Sequence, residues 1–186
     1  MTSTAPIERK NLLQRGLNRV LHKLARALPG STSLRPALHR LRGVGIGPGV
    51  FIGEEVYLEN EYPELIEIGE GTAIGLRSVI IAHTGWTGGK TRETSGRVVI
   101  GKDVWIGACS FIAASPGASL TIGDGAVIGA CSVIINKNIA SHAFVLPPNA
   151  RQIGTARVPF TRAHSYRQLL AGLRAGPNPS PDSNSH

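Results

Sequence analysis

An isoleucine followed by glycine occurs eight times between residues 46 and 129, always in pairs six apart. The pairs are Ile46-Gly47 with Ile52-Gly53, Ile68-Gly69 with Ile74-Gly75, Ile100-Gly101 with Ile106-Gly107, and Ile122-Gly123 with Ile128-Gly129. Six residues beyond each pair stands an aliphatic without the glycine: Leu58, Ile80, Ile112 and Ile134. The chain therefore repeats at six, with a superperiod of three sixes. A repeat this regular dictates architecture before composition is considered.

One large aliphatic per six residues suits a short strand with one inward anchor, followed by a bend. Glycine after the anchor permits backbone to approach where a side chain would clash. The residue two before each anchor is also small or apolar: Val44, Val50, Val56; Ile66, Thr72, Ser78; Val98, Val104, Ser110; Leu120, Ala126, Ser132. That is the period of a strand, so both columns face one interior. Three strands per superperiod predict a triangular coil, and four triplets predict four stacked coils. A helical reading fails, because six matches neither 3.6 nor seven.

The third side of each coil is different. Its anchor is followed by Glu59, Ile81, Ala113 or Ile135 instead of glycine, and the extra residues fall there. Leu58 to Ile68 is ten residues, Ile112 to Ile122 is ten, and Ile80 to Ile100 is twenty. Loops 59–67, 81–99 and 113–121 are thus expected at one vertex of the prism. Loops on a rigid scaffold are where chemistry usually sits, so the functional site is expected there.

The stretch Val98-Val99-Ile100-Gly101-Lys102-Asp103-Val104-Trp105-Ile106-Gly107 resembles a signature of hexapeptide-repeat acyltransferases, in their O-acetyltransferase branch. Thr121 to Ala130 is similar to it, and Pro148-Asn149-Ala150-Arg151 resembles that family's closing motif. The resemblance covers roughly residues 43–154. It implies an all-β fold, a left-handed parallel β-helix, assembled as a homotrimer with sites between subunits. It also implies acetyl-CoA as donor, no metal, and a hydroxyl acceptor on a saccharide, with a surface polysaccharide or its precursor as the finer expectation. Rival expectations are N-acetylation of an amino sugar, acetylation of an antibiotic, serine or other small molecule, and a non-catalytic assembly module. Serine acetyltransferases carry a larger helical N-terminal region than residues 1–43. A metal-dependent β-helix carbonic anhydrase needs three histidines on its metal, and the repeats offer only His83.

His83 is the expected catalytic base. It lies three residues past the Ile80 anchor, at the mouth of the longest loop, where the resembling enzymes place theirs. An alcohol is a poor nucleophile at neutral pH, and an adjacent imidazole can take its proton as it attacks a thioester carbonyl. The following Thr84-Gly85-Trp86 departs from the His-Pro of several sugar acetyltransferases. By resemblance, coenzyme A contacts carry over onto Ala108, Ala130, Lys137 and Arg151. Small residues let the pantetheine lie along the coil, and cations meet phosphates. An oxyanion donor is expected near residues 107–109. Lys137 follows an exit one residue longer than the usual pattern. Glu59, Asn60 and Trp86 are expected at the acceptor, against the simpler readings of a solvated acidic turn and a self-packing loop tryptophan.

Charge is unevenly spread. Residues 1–43 carry nine Lys/Arg against one acid, residues 44–150 six against ten, and residues 151–186 five against one. No nucleic-acid motif accompanies the basic flanks, which fit phosphates of a cofactor, an anionic glycan or an acidic lipid surface better. Residues 7–28 read as an amphipathic helix with Leu13, Leu17, Val20, Leu21, Leu24 and Leu28 on one face. Ser33 is expected to cap a second helix carrying Leu34, Leu38 and Leu41. Residues 1–43 should thus cap the open end of the prism, and peripheral attachment to anionic membrane is compatible with this. Residues 44–154 form the expected β-helix domain, 155–174 a helical extension, and 175–186 a disordered tail. No apolar run reaches membrane-span length and no apolar signal core precedes the helix, so a cytoplasmic location is expected, with the inner membrane face as the refinement. Cys109 and Cys131 hold the same slot in equivalent repeats, as stacked small residues.

Overall fold

A computed structural model of the chain describes residues 11–82, 96–115 and 117–148, together with the backbones of strands Gly154–Ala156 and Leu173–Ala175. The chain divides into two compact units, Met1–Pro147 and Pro148–His186.

In the first unit two helices, α1 (Leu12–Ala27) and α2 (Leu34–Leu41), precede thirteen short strands. The first coil comprises β1 (Gly45–Ile46), β2 (Phe51–Ile52) and β3 (Tyr57–Leu58); the second β4 (Ile66–Ile68), β5 (Ala73–Ile74) and β6 (Val79–Ile81). The third comprises β7 (Arg97–Ile100), β8 (Trp105–Ile106) and β9 (Phe111–Ala113); the fourth β10 (Ser119–Ile122), β11 (Val127–Ile128) and β12 (Val133–Ile135). β13 (Phe144–Val145) then adds to β11. The strands assemble into three sheets, ordered β1-β4-β7-β10 (sheet A), β13-β11-β8-β5-β2 (sheet B) and β12-β9-β6-β3 (sheet C). Every pairing within them is parallel, and the register aligns anchors: Ile46 with Ile68, Ile74 with Ile106, Ile80 with Ile112. The chain thus winds from A to B to C four times, which is the three-sided parallel coil that the repeat predicts.

Both inner columns are buried in one continuous core, from Val44 at the base to Ile134 and Ile139 at the top. Burial of stacked aliphatics supplies the driving force, at roughly 25 cal/mol per Å² of apolar surface. Serine and threonine in the inner columns are satisfied by turn carbonyls: Thr72 Oγ1 donates to Gly101 O at 2.7 Å, and Ser132 Oγ to Gly129 O at 2.7 Å. The glycine after an anchor is required by the next coil. A Cβ on Gly107 would lie 2.3 Å from the Ala130 nitrogen, and one on Gly75 would lie 2.5 Å from that of Ala108. Two residues further on, the chain turns through positive φ, at Arg77, Cys109 and Cys131 in the sheet B-to-C corners. Both cysteines are free and exposed there, and Cys131 N donates to Ala108 O of the coil below.

The base of the coil has a free carbonyl edge. Within the stack Ile68, Ile74 and Ile80 carbonyls accept from Gly47, Gly53 and Glu59 of the preceding coil. The equivalent carbonyls of Ile46, Ile52 and Leu58 have no coil beneath them, and α2 with its C-cap supplies one arginine to each side. Arg40 Nε donates to Ile46 O at 3.0 Å, Arg35 Nη1 to Ile52 O at 3.1 Å, and Arg42 Nη2 to Leu58 O at 3.3 Å. An unpaired strand edge is a liability, and here guanidinium groups close it. Three of the nine cations in residues 1–43 are engaged in this way.

Several local expectations differ. α1 begins at Leu12, where Asn11 and Gln14 form a reciprocal capping box, and ends at Ala27 before Pro29-Gly30. Ser33 occupies the N-cap position of α2 but its hydroxyl makes no capping bond. The leucine face expected to seal the core points outward: Leu13 is 85% exposed and Leu17 60%. The face of α1 that packs is Asn18, His22 and Ala25. The reason is chemical, since the coil's base presents backbone carbonyls and amides that polar side chains can satisfy.

In the second unit β14 (Gly154–Ala156) pairs antiparallel with β15 (Leu173–Ala175). The helical extension expected over 155–174 is therefore corrected at 155–156 and 173–174, and the tail expected from residue 175 at that residue, all of which are strand. The remainder of those two segments lies outside the described residues.

Candidate active site

The three insertions all connect sheet C to sheet A: β3 to β4, β6 to β7 and β9 to β10. They emerge at one vertex, as the spacing requires. His83 and Trp86, in the longest of them, lie outside the described residues. Ala82, which immediately precedes His83, is described and fully buried.

Hydrogen bonds running from coil to coil hold the floor of this vertex. Glu59 is fully buried, which corrects the reading of a solvated acidic turn. Its Oε1 accepts from Glu61 N at 2.8 Å and Tyr62 N at 3.3 Å, and its Oε2 accepts from Ala82 N at 3.1 Å. One carboxylate thus shapes the first vertex loop and ties it to the residue before His83. Charge-assisted bonds of this kind are the strong class. Above it, Ala82 O accepts from Gly96 N, and Ala114 N donates to Ile81 O at 3.1 Å. Gly96 lies so close to the third coil that a Cβ there would be 2.6 Å from Ser115 O. Both ends of the 81–99 loop are therefore fixed. Asn136 completes the column: in the left-handed region at φ 53°, it accepts from Ser115 N and donates to Ser115 Oγ, both at 2.6 Å. Asn136 immediately precedes Lys137, in a position that no motif in the sequence singles out.

Asn60 turns inward. Its Oδ1 is buried and its side chain faces His22, while its carbonyl accepts from Asn18 Nδ2. A polar cluster follows beneath the vertex, unforeseen because its histidines stand outside the repeats. Arg42 bonds Asn18 Oδ1 and His39 Nδ1, both at 2.8 Å, and also the Glu59 carbonyl. The His22 ring packs 4.5 Å from that of Tyr57, centroid to centroid. Burial, reinforced by Arg42, pushes His22 down to about 4 and His39 to about 3. Burial likewise lowers Arg42 to about 10 and raises the Tyr57 phenol.

The residues expected to meet coenzyme A fall in two places. Ala108 and Ala130 stand one coil apart in the sheet B-to-C corners, beside Cys109 and Cys131. Lys137, exposed, follows β12 at the other end of sheet C, on the vertex that carries the 81–99 loop. Arg151 lies outside the described residues. A groove of about 390 Å³ crosses the lower part of sheet C. Arg26, Glu55 and Arg77 line one end, and Tyr57 and Val79 lead to Ile81, two residues before His83. Among the described residues no cluster of three or more His, Cys, Asp or Glu side chains is arranged to hold a metal, and no helix is long and apolar enough to cross a membrane.

No family model matches the chain. It is 33% identical over 156 residues to serine acetyltransferase 4 of Arabidopsis thaliana, an alignment spanning 82% of this chain and 41% of that protein. It is 38% identical over 84 residues to YvoF of Bacillus subtilis (strain 168), whose name classes it as an acetyltransferase, spanning 45% of this chain and 44% of that one. The chain thus spans about two-fifths of the length of these curated relatives. Among solved structures, a maltose O-acetyltransferase from Clostridium difficile 630 superposes with a TM-score of 0.53 at 22% identity, over 73% of this chain and 82% of that one. That likeness is one of fold. With its period of six, its three parallel sheets and these acetyltransferase relatives, the chain resembles the hexapeptide-repeat acyltransferases.

Proposed function

We propose that this protein is an acetyl-CoA-dependent O-acyltransferase acting on a hydroxyl of a saccharide, with a left-handed coil, a homotrimeric assembly and His83 as general base. The observation that carries the reading is the sheet C-to-A vertex. Three insertions emerge together there, and a buried carboxylate fixes the backbone next to His83. In this scheme His83 removes the acceptor hydroxyl proton as the oxygen attacks the thioester carbonyl. The tetrahedral intermediate collapses, the carbon–sulfur bond breaks, and the imidazolium returns the proton to the departing thiolate. Ala108 and Ala130 leave room for the pantetheine, and Lys137 and Arg151 meet phosphates. Glu59, Asn60 and Trp86 form the acceptor end, the first two by shaping the loop beside His83. Support for a trimer comes from the outer faces of the coil. Phe51, Trp105 and Phe144 stand outward on sheet B, and Val133 and Ile135 on sheet C, all at least 41% exposed. Apolar surface of this extent marks a protein interface.

Serine is the second reading of the acceptor, favoured by the Arabidopsis relative. The chain spans 41% of that relative's length. Release of free thiol from acetyl-CoA, measured with a panel of glycans beside serine and amino sugars, tests both. Glycan-stimulated release is expected. Stimulation by serine alone would replace the saccharide, and release by none of them would reject the transferase reading.

A further inference from the structure

α1 carries two stripes that the fold treats oppositely. Asn18, His22 and Ala25, spaced four and three apart, face the coil and are buried. Leu13, Leu17, Val20 and Leu24, spaced four, three and four apart, form a parallel stripe along the other side. They are 85%, 60%, 54% and 40% exposed, with Leu12 beside them at 83%. The spacing is that of a helix face meant to be covered. Nothing in the described coil covers it, because the packed face is the polar one. The ionisable groups complete the pattern. Arg15, Arg19, Lys23 and Arg26 lie between the stripe and the packed face, Lys23 next to the stripe, with no carboxylate anywhere in the helix. Among the described residues only Arg26 has an acidic partner, Glu55 at 2.7 Å. This differs from α2, whose arginines are directed at the carbonyl edge.

We propose that α1 is a docking face for an anionic lipid surface, lying in the plane of the headgroups with its leucine stripe at the acyl boundary. The charge decides between occupants. A second copy seated on the stripe would bring two helices of four cations and no acid against each other. A bilayer rich in acidic lipid supplies the opposite charge around an apolar layer, which is the environment that an amphipathic basic helix enters. Lysine and arginine at its flank keep their charged ends among the phosphates while their methylenes lie on the acyl boundary.

The test uses the full chain and sedimentation with vesicles, independent of any activity. Wild-type protein is expected to co-sediment with phosphatidylglycerol-containing vesicles, weakly with phosphatidylcholine alone, and less as salt is raised. A triple variant Leu13→Ser, Leu17→Ser, Val20→Ser should lower the partition at least about tenfold. A second triple, Arg15→Gln, Arg19→Gln, Lys23→Gln, should lower it by about two orders of magnitude on anionic vesicles, since each cation near such a surface is worth about fivefold. All six side chains are exposed, so thermal melts by circular dichroism should match wild type. Should the leucine triple fail to fold, the charge triple carries the test alone. Wild type that ignores anionic vesicles, or variants that bind as wild type does, would overturn the proposal. So would wild-type self-association lost in the leucine triple without any vesicle binding, which would assign the stripe to a second copy.

Discussion

The base of the coil and the sheet C-to-A vertex solve the same problem with opposite charges. At the base, strand carbonyls point out of the stack and arginines of α2 donate to them. At the vertex, loop amides need acceptors and the carboxylate of Glu59 receives three of them. The difference lies in what each arrangement leaves free. The base leaves nothing reactive, because its guanidinium groups are turned toward backbone. The vertex leaves a long loop anchored at both ends, with His83 at its start. Damage at the base should therefore cost stability and spare turnover per folded molecule, and damage at the vertex should do the reverse.

The sharpest way to break this contrast is a crossed pair of variants. His83→Ala removes the base in the proposed reaction and should lower turnover by about 10²–10⁴-fold, with an unchanged melting profile. Arg35→Met removes the donor to Leu28 O and Ile52 O from a residue that is 4% exposed. Leaving one buried and one half-buried carbonyl unpaired should cost about 2–5 kcal/mol, read as a lower urea midpoint, with turnover per folded molecule retained. If Arg35→Met lost turnover without losing stability, or His83→Ala the reverse, the division between base and vertex would be wrong.

What the sequence made legible follows the same division. The coil, its register and the shared vertex were readable because the inner columns repeat at a fixed period and insertions interrupt that period in one slot. The arginine closure of the base was not readable, because it depends on which carbonyls lack a coil beneath them. The orientation of α1 differs from the sequence expectation for a related reason. A leucine stripe ordinarily faces a core, but the base of this coil offers hydrogen-bonding groups, and Asn18 answers them. Glu59 stood out as a candidate by its place in the vertex loop, while its three backbone partners became visible only in three dimensions. Residues 155–156 and 173–174 read as helix, and residue 175 as tail, because the antiparallel pairing of Gly154–Ala156 with Leu173–Ala175 falls outside the period of six.

Arg151→Ala sharpens the comparison with a third kind of effect, on the donor rather than on folding or chemistry. In the proposed scheme Arg151 meets a phosphate remote from the thioester, and that contact is equal in ground and transition states. Its loss should raise the KM for acetyl-CoA and leave kcat nearly unchanged. A charge-assisted bond is worth roughly 1.5–3 kcal/mol, so affinity should fall by about one to two orders of magnitude, and less at high salt. A fall in kcat at saturating donor would move Arg151 to the reacting centre.

Acidification probes the base through its buried histidines. Burial holds His39 at about 3 and His22 at about 4, both below the value of 6.5 for the free side chain. Between those limits the unfolded chain binds more protons than the folded one, so stability falls as pH drops. The contribution is complete above about pH 6.5 and is lost progressively below it. At pH 5 the difference for His39 is about 1.5 units, or roughly 2 kcal/mol at 1.36 kcal/mol per unit. His39→Gln keeps an oxygen able to accept from Arg42 but cannot titrate in this range. Unfolding free energies from urea titrations at pH 7 and pH 5 should therefore differ less in the variant than in wild type, by about that amount. Equal pH dependence in the two proteins would mean that His39 is not held neutral beneath the vertex, and that the polar cluster joining α1, α2 and Glu59 is looser than its contacts indicate.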